Sequence, residues 1–296
     1  MVGSALCRKI TEEGISELVF EDRENLDLTK SGAVAEWVSH VKPDVVIVAA
    51  AKVGGIHANN TYPADFIYQN LMIACNVIDA AHQSDVEKLL YLGSSCIYPR
   101  LAEQPITEEA LLSGPLEKTN EAYAIAKIAG VKLCQYYRQQ YGRDFISAMP
   151  TNLYGPGDNY HPENSHVIPA LIRKAHAAKV NDAKTMEVWG SGQVKREFMY
   201  VDDCAEALIH ILKYYSDVSH INVGTGHDIT IQSVAQKVAA AVGFKGELVN
   251  NTTMPDGTPR KLMSSEKLRD LNWEPSVGLT EGLERTYKWF VDNIAA

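Results

Sequence analysis

Cysteine is scarce and scattered: Cys7, Cys75, Cys96, Cys134 and Cys204, odd in number and without metal-site spacing. That argues against a disulfide scaffold or a zinc module, and it fits a reduced, cytoplasmic setting. No apolar run approaches the roughly 18 residues of a membrane span. The front of the chain lacks the charge order of a signal peptide, because Arg8 and Lys9 follow the short apolar stretch instead of preceding it. Positive charge is in deficit, with 28 Lys+Arg against 37 Asp+Glu and a net charge of −9, which argues against a nucleic-acid surface. Repeats and low-complexity tracts are missing. What remains is an ordinary globular composition, 46% hydrophobic and 22% charged. At 296 residues the chain can bury a large core without disulfide or metal staples.

The first two thirds alternate apolar runs with helical patterns, the signature of βαβ units and a parallel sheet. Strands are expected at Leu18–Phe20, Val45–Ala50, Leu89–Ser95 and Phe145–Pro150, the second nearly all apolar as in a strand covered on both faces. Helices are expected at 33–41, 64–84 and 121–141, the last two long and amphipathic. That is an α/β fold with a Rossmann-like doubly wound parallel sheet. From about residue 156 the texture becomes loop-rich, as at Trp189-Gly190-Ser191-Gly192 and Pro255-Asp256-Gly257-Thr258-Pro259. The expected division is a dinucleotide-binding region over 1–155 and a smaller C-terminal α/β substrate-binding region over 156–296. Segments near 197–226 are expected to return to the first. A dinucleotide fold opens with a strand and a glycine-rich turn. Here Met1-Val2-Gly3-Ser4-Ala5 supplies only a last glycine and a first helical turn, so the first strand and glycine turn are expected to be missing.

Tyr123-Ala124-Ile125-Ala126-Lys127 places a phenol and an ammonium four residues apart, on one face of a helix. An ammonium beside a phenol favours phenolate, which would bring the tyrosine pKa down toward working pH. About 30 residues upstream a strand ends in Gly93-Ser94-Ser95-Cys96, where Ser94 can hydrogen-bond the same substrate oxygen. Strand-end serine, then tyrosine and lysine, is the order of a carbonyl-reducing site. Asn120, just before the tyrosine helix, reads as a cap or turn residue. Asp22-Arg23 follows the Leu18 run, where ribose recognition belongs. An acid there suits a free 2′-hydroxyl, an arginine suits a 2′-phosphate, and a solvated turn has the same composition. Ala50, Ala51 and Val53 are small enough to let a cofactor cross the sheet edge or simply to pack. Asp27-Leu28 is a weaker candidate for flanking an adenine.

On these residues the chain resembles the extended short-chain dehydrogenase/reductase family. The resemblance is carried by Ala50–Ile56, Asn59–Pro63, Gly93–Pro99, Pro150–Pro156, Asn164–Pro169 and Pro255–Lys261, and it runs essentially end to end. Its nucleotide-sugar members imply NADPH-dependent 3,5-epimerisation and 4-reduction of GDP-4-keto-6-deoxy-D-mannose to GDP-L-fucose. The resemblance assigns the proton-transfer pair to Cys96 and His166 and the reduction to Tyr123, assisted by Ser94 and Lys127. For NADPH it implies Gly3, Arg23, Ala50, Ala51, Val53, Tyr123, Lys127, Asn152, Leu153 and His166, with Arg23 near the 2′-phosphate. Along the GDP-sugar it places Asn152, Val167, Lys174, Trp189, Arg196 and Lys261. It also implies a homodimer in which helices near 64–84 and 121–141 form a four-helix interface. No metal, nucleic acid or membrane is implied. Two other readings stand beside this one. A related nucleotide-sugar epimerase or dehydratase would share the fold and triad without needing Cys96 and His166. A non-catalytic scaffold that has lost its dinucleotide loop would have no use for the five polar side chains.

Overall fold

The computed structural model describes residues 1–14, 17–254 and 256–295. The chain enters directly into helix α1 (Val2–Glu12), followed by α2 (Ser31–Val41), strand β1 (Val45–Val48), a short α3 (Ile56–Thr61) and α4 (Pro63–Gln83). Strand β2 (Lys88–Leu92) leads through short 3-10 turns at Ser95–Ile97, Glu108–Ala110 and Lys118–Asn120 into α5 (Glu121–Tyr141). Then come β3 (Asp144–Pro150), β4 (Asn152–Tyr154), α6 (Val167–Val180), β5 (Thr185–Trp189), β6 (Lys195–Tyr200) and α7 (Val201–Tyr214). The chain continues through β7 (Ile221–Val223), β8 (Asp228–Thr230), α8 (Ile231–Val242), β9 (Glu247–Asn251), β10 (Arg260–Lys261), α9 (Glu266–Asp270) and α10 (Leu279–Asn293).

The main sheet is all parallel, in the order β1-β2-β3-β7. A parallel sheet must be covered on both faces, and two separate cores do so. One packs α2, α4 and α5 on one face through Val34, Ile78, Leu89, Val131 and Phe145. The other packs α1 and α7 on the opposite face through Ala5, Leu6, Leu90, Ile146, Leu208 and Ile221. A third core, around Ile168, Ile172, Val188, Val234, Leu283 and Phe290, joins α6, α8 and α10 to β5 and the β4–β6 sheet. β4 continues almost directly from β3 and pairs in parallel with β6, which in turn pairs with β8 and β10. This short link swings the chain from the carboxyl end of the main sheet into the second layer.

The expected strands and helices from residue 31 to 150 form close to where the pattern puts them. The strand expected at Leu18–Phe20 does not form. Those residues are irregular, with Val19 47% and Phe20 68% exposed. A strand is held by the ladder of a neighbour, and among the described residues none lies beside this run. β1 accordingly stands at a sheet edge, with Val45 47% exposed.

The packing of α5 on β2 depends on a bare backbone at Gly130. A Cβ there would lie 2.3 Å from the ring of the buried Tyr91. Gly130→Ala gains about 1 kcal/mol of helix propensity but overpacks the contact by up to about 3 kcal/mol. A net loss of about 1–2 kcal/mol is expected, read as a lower urea midpoint at unchanged slope.

Candidate active site

The site is assembled where the strands of the main sheet end. β2 runs out at Leu92, and Gly93 lets the chain pass close to Met149, whose sulfur would sit 2.3 Å from a Cβ at this position. Ser94 then caps the 3-10 turn at Ser95–Ile97, its Oγ accepting from the Cys96 backbone N–H at 3.3 Å. That contact uses an oxygen lone pair and leaves the hydroxyl proton to donate, with Tyr123 within its reach. Tyr123 and Lys127 lie on one face of α5, the Lys127 ammonium 5.8 Å from the Tyr123 ring centre. Lys127 is only 3% exposed and donates to the Leu92 carbonyl at 2.8 Å, which ties α5 to the end of β2. Phe66 of α4 meets Tyr123 edge-on at 6.3 Å between ring centres.

The electrostatics differ from the expected phenolate pair. Burial raises the Tyr123 pKa well above the usual phenol value, and the Cys96 charge pushes the same way while Ser94 opposes it. Burial also lowers Lys127 to about 7. With its ammonium turned to a carbonyl and itself poorly solvated, Lys127 does not offset the cost of a buried phenolate. The resting pair therefore favours neutral phenol.

His166 enters from the second region. It occupies the position just before α6, and Pro169 falls in the first turn, where a missing N–H is harmless. The preceding loop lies against the glycines that follow β1: Gly55 N–H donates to Asn164 O at 3.2 Å, and a Cβ on Gly55 would meet Ser165 O at 2.7 Å. Those glycines are themselves bracketed. Asn70 both donates to and accepts from the Lys52 backbone at 3.0 Å, and Asn59 donates to Gly54 O and Gly55 O. His166 is exposed as a residue, yet the protein around its ring desolvates it and lowers its pKa below the ordinary imidazole value.

Two further clusters flank this one. Lys261 pairs in register with Arg196 across the parallel β10–β6 ladder, so two cations share one face. Arg196 donates to the Asp256 carbonyl at 3.2 Å, and Asp256 Oδ1 accepts from Ser191 N–H at 2.8 Å, linking Arg196 to the turn after Trp189. Lys174 of α6 lies 4.4 Å over the Trp189 ring, and Glu187 accepts from the indole N–H at 2.5 Å. Asn152, which opens β4, donates to Glu197 O at 2.8 Å; Leu153 follows it, and Val167 opens α6.

The structure thus brings Ser94, Cys96, Tyr123 and Lys127 together, with His166 on the adjoining loop, and groups Arg196 with Lys261 and Lys174 with Trp189. Ala50, Ala51 and the exposed Val53 follow the end of β1, and Gly3 lies in the first turn of α1 with open space where a Cβ would stand. Arg23 is on an exposed turn closed by Asp22 Oδ1, which accepts from Glu24 and Asn25 N–H, and among the described residues it makes no ion pair. Pro255 of the Pro255–Lys261 motif lies outside the described residues. Asn120, Asn70 and Glu197 carry roles that their sequence neighbourhoods did not reveal.

The model of the NAD dependent epimerase/dehydratase family matches residues 1–224. The chain belongs to that family. It is 57% identical over 99% of its length to GDP-L-fucose synthase 1 of Arabidopsis thaliana, covering 91% of that protein. It is 56% identical over 99% of its length to GDP-L-fucose synthase of Escherichia coli, covering 94% of it. Among solved structures, a GDP-L-fucose synthetase from Naegleria fowleri bound to NADP superposes with a TM-score of 0.92 at 31% identity, over 100% of this chain and 91% of that one.

Lys127 offers a pH signature of its burial. Its folded pKa lies below the unfolded one, so the unfolded chain binds the extra proton between about pH 7 and pH 10, and stability from this group rises with pH across that window. Lys127→Met removes the penalty at every pH. Its gain in melting temperature over the parent is therefore expected to be largest below pH 7 and to shrink toward pH 10. A gain independent of pH would contradict a buried, depressed amine.

Proposed function

We propose that this chain is an NADPH-dependent epimerase-reductase converting GDP-4-keto-6-deoxy-D-mannose to GDP-L-fucose. The observation that carries the reading is Cys96, a free thiol held by the Ser94 cap inside a serine–tyrosine–lysine carbonyl site. A reductase alone has no need of a thiol there. The likeness of 56–57% to GDP-L-fucose synthases supports the same substrate.

The residues present fit the cofactor. Lys127 spends one of its three donors on Leu92 O and keeps two for ribose hydroxyls. Gly3, Arg23, Ala50, Ala51, Val53, Asn152, Leu153 and His166 complete the proposed cofactor contacts. Bound NADPH supplies the hydride that reduces C4. The residues of this chain do the rest. The C4 ketone acidifies C3–H and C5–H. Cys96 and His166 remove a proton from one face and return one to the other, with O4 holding the electron pair in between. Tyr123 then gives its proton to O4, with Ser94 donating a hydrogen bond to the same oxygen. The paired cations Arg196 and Lys261 suit the diphosphate, and Lys174 over Trp189 suits the base, with Asn152 and Val167 along the sugar.

The same reading divides the chain at residues 155/156 into cofactor and substrate regions and makes it a cytoplasmic homodimer. No described helix is long and apolar enough to cross a membrane. Helices α4 and α5 pack on each other, and their outer faces expose Tyr68, Ile125, Tyr136 and Tyr141, apolar surface suited to the same helices of a second copy.

Incubation with GDP-4-keto-6-deoxymannose and NADPH in deuterated water, read by mass spectrometry, tests proton exchange and reduction together. The expected product is reduced and carries deuterium. Tyr123→Phe is expected to abolish reduction and retain part of the exchange. Cys96→Ser is expected to depress exchange with NADPH affinity unchanged. An unchanged sugar with the parent protein would refute the proposal, and a monomer in light scattering would refute the dimer.

A further inference from the structure

Asn120 stands at the helix-cap position of α5, yet its side chain makes no cap bond. Its amide Nδ2 instead donates to Cys96 Sγ at 3.2 Å. Its Oδ1 is buried and, among the described residues, has no partner. An asparagine that forgoes a helix cap and buries an unsatisfied acceptor is costly on both counts. Both costs fall on a residue three positions before Tyr123 and in contact with Cys96. Such a local violation, placed beside reacting groups, points to function.

We propose that Asn120 is the positioning residue for proton transfer: its amide N–H steadies the Cys96 thiolate, and its Oδ1 accepts a hydroxyl of the hexose ring. The inference rests on Cys96 being one of the two proton-transfer groups in the function proposed above. The chemistry is balanced within that step. The carbon–hydrogen bond beside the ketone breaks, the sulfur gains the proton, and the electron pair moves onto O4. The reverse transfer restores the thiolate. A donor aimed at sulfur favours the anionic form, as hydrogen bonds to any charged group do. It also fixes the sulfur's direction, which a small, freely rotating thiol cannot do alone. An acceptor aimed at a ring hydroxyl fixes the sugar against the same side chain.

Other groups act on this sulfur from each neighbouring element. Arg196 from β6 favours negative charge on it. Tyr123 from α5 is near enough to feel that charge. Ser94 holds the Cys96 backbone N–H from the end of β2. Glu117, on the turn before Asn120, pairs with Arg100 and favours the Arg196 cation. Asn120 is the group among these that donates a hydrogen bond directly to the thiol.

Two substitutions separate this role from a structural one. Asn120→Ser restores a strong helix cap but cannot reach the sulfur with an amide, and Asn120→Asp keeps the shape and turns a carboxylate toward it. Cys96 alkylation by iodoacetamide, followed on its own peptide across pH, reads the thiolate without substrate. Deuterium uptake by GDP-4-keto-6-deoxymannose reads the transfer. Both variants are expected to move the Cys96 alkylation profile to higher pH, Asp further than Ser, and to slow deuterium uptake 10- to 100-fold. NADPH affinity is expected to stay within twofold. If Asn120→Ser keeps the parent's alkylation profile and exchange rate, Asn120 is a cap and the proposal falls. If the parent itself takes up no deuterium while the alkylation profiles still shift, the function proposed above falls and the thiolate contact stands.

Discussion

Glu197 is fully buried and, among the described residues, has no cation beside it. Burial raises its pKa, and the carboxyl is tolerated only because backbone and hydroxyl donors surround it: Gly226 N–H at 2.7 Å, Met263 N–H at 3.2 Å and Thr225 Oγ at 3.3 Å. Its main-chain carbonyl accepts from Thr151 and Asn152 as well. One residue thereby holds the end of the main sheet, the turn after β7 and the segment after β10 at fixed distances. Gly224 has to be bare for this, since a Cβ there would fall 2.4 Å from the carboxylate. Arg196 precedes Glu197 on the same strand, and alternation sends its side chain to the opposite face. The buried carboxylate on one side thus sets the register of the paired cations, Arg196 and Lys261, on the other.

The rest of the site follows from where a parallel sheet leaves its loops. Each strand delivers its carboxyl end to the same edge, so residues after Val48, Leu92 and Pro150 meet although they lie some hundred positions apart. The loops there are irregular, and irregular backbone must be held by side chains. Asn59 and Asn70 do this for the glycines after β1, and Tyr98 does it after β2. Its hydroxyl donates to Asn222 at 2.5 Å and meets the buried His220 at 2.9 Å. Buried amides and phenols of this kind act as rigid spacers between the main sheet and the loops carrying Cys96 and His166.

Periodicity made the main sheet and its long helices readable, because β1 to β3, α4 and α5 are fully specified by which faces they bury. It failed at Leu18–Phe20, where an apolar run has strand composition but no ladder partner. The chemistry-bearing residues were readable where a spacing implies a shared helix face, as with Tyr123 and Lys127, or where a motif marks a strand end, as with Ser94 and Cys96. Asn120, Asn70 and Glu197 were not, because each does its work through a contact 18 or more residues away in sequence. Asn120 does stand in the turn before α5, as its neighbourhood suggests, but nothing local foretells the contact of its amide with Cys96. The effect of Lys127 on Tyr123 was misjudged for a related reason: spacing says that two groups are neighbours, but burial decides which form each prefers.

That reversal bears on catalysis. A general acid for ketone reduction must hold its proton until the carbonyl oxygen becomes an alkoxide. Burial of Tyr123 favours the protonated phenol, the form that the reduction proposed above needs. The phenolate left behind then needs a charge nearby. Lys127, held by the Leu92 carbonyl with its nitrogen 5.8 Å from the Tyr123 ring centre, is the cation available there. The desolvation that lowers Lys127 to about 7 also strengthens its attraction to a negative charge on Tyr123. Burial of the pair therefore suits the two ends of the proton transfer, where a permanent phenolate–ammonium pair would suit neither.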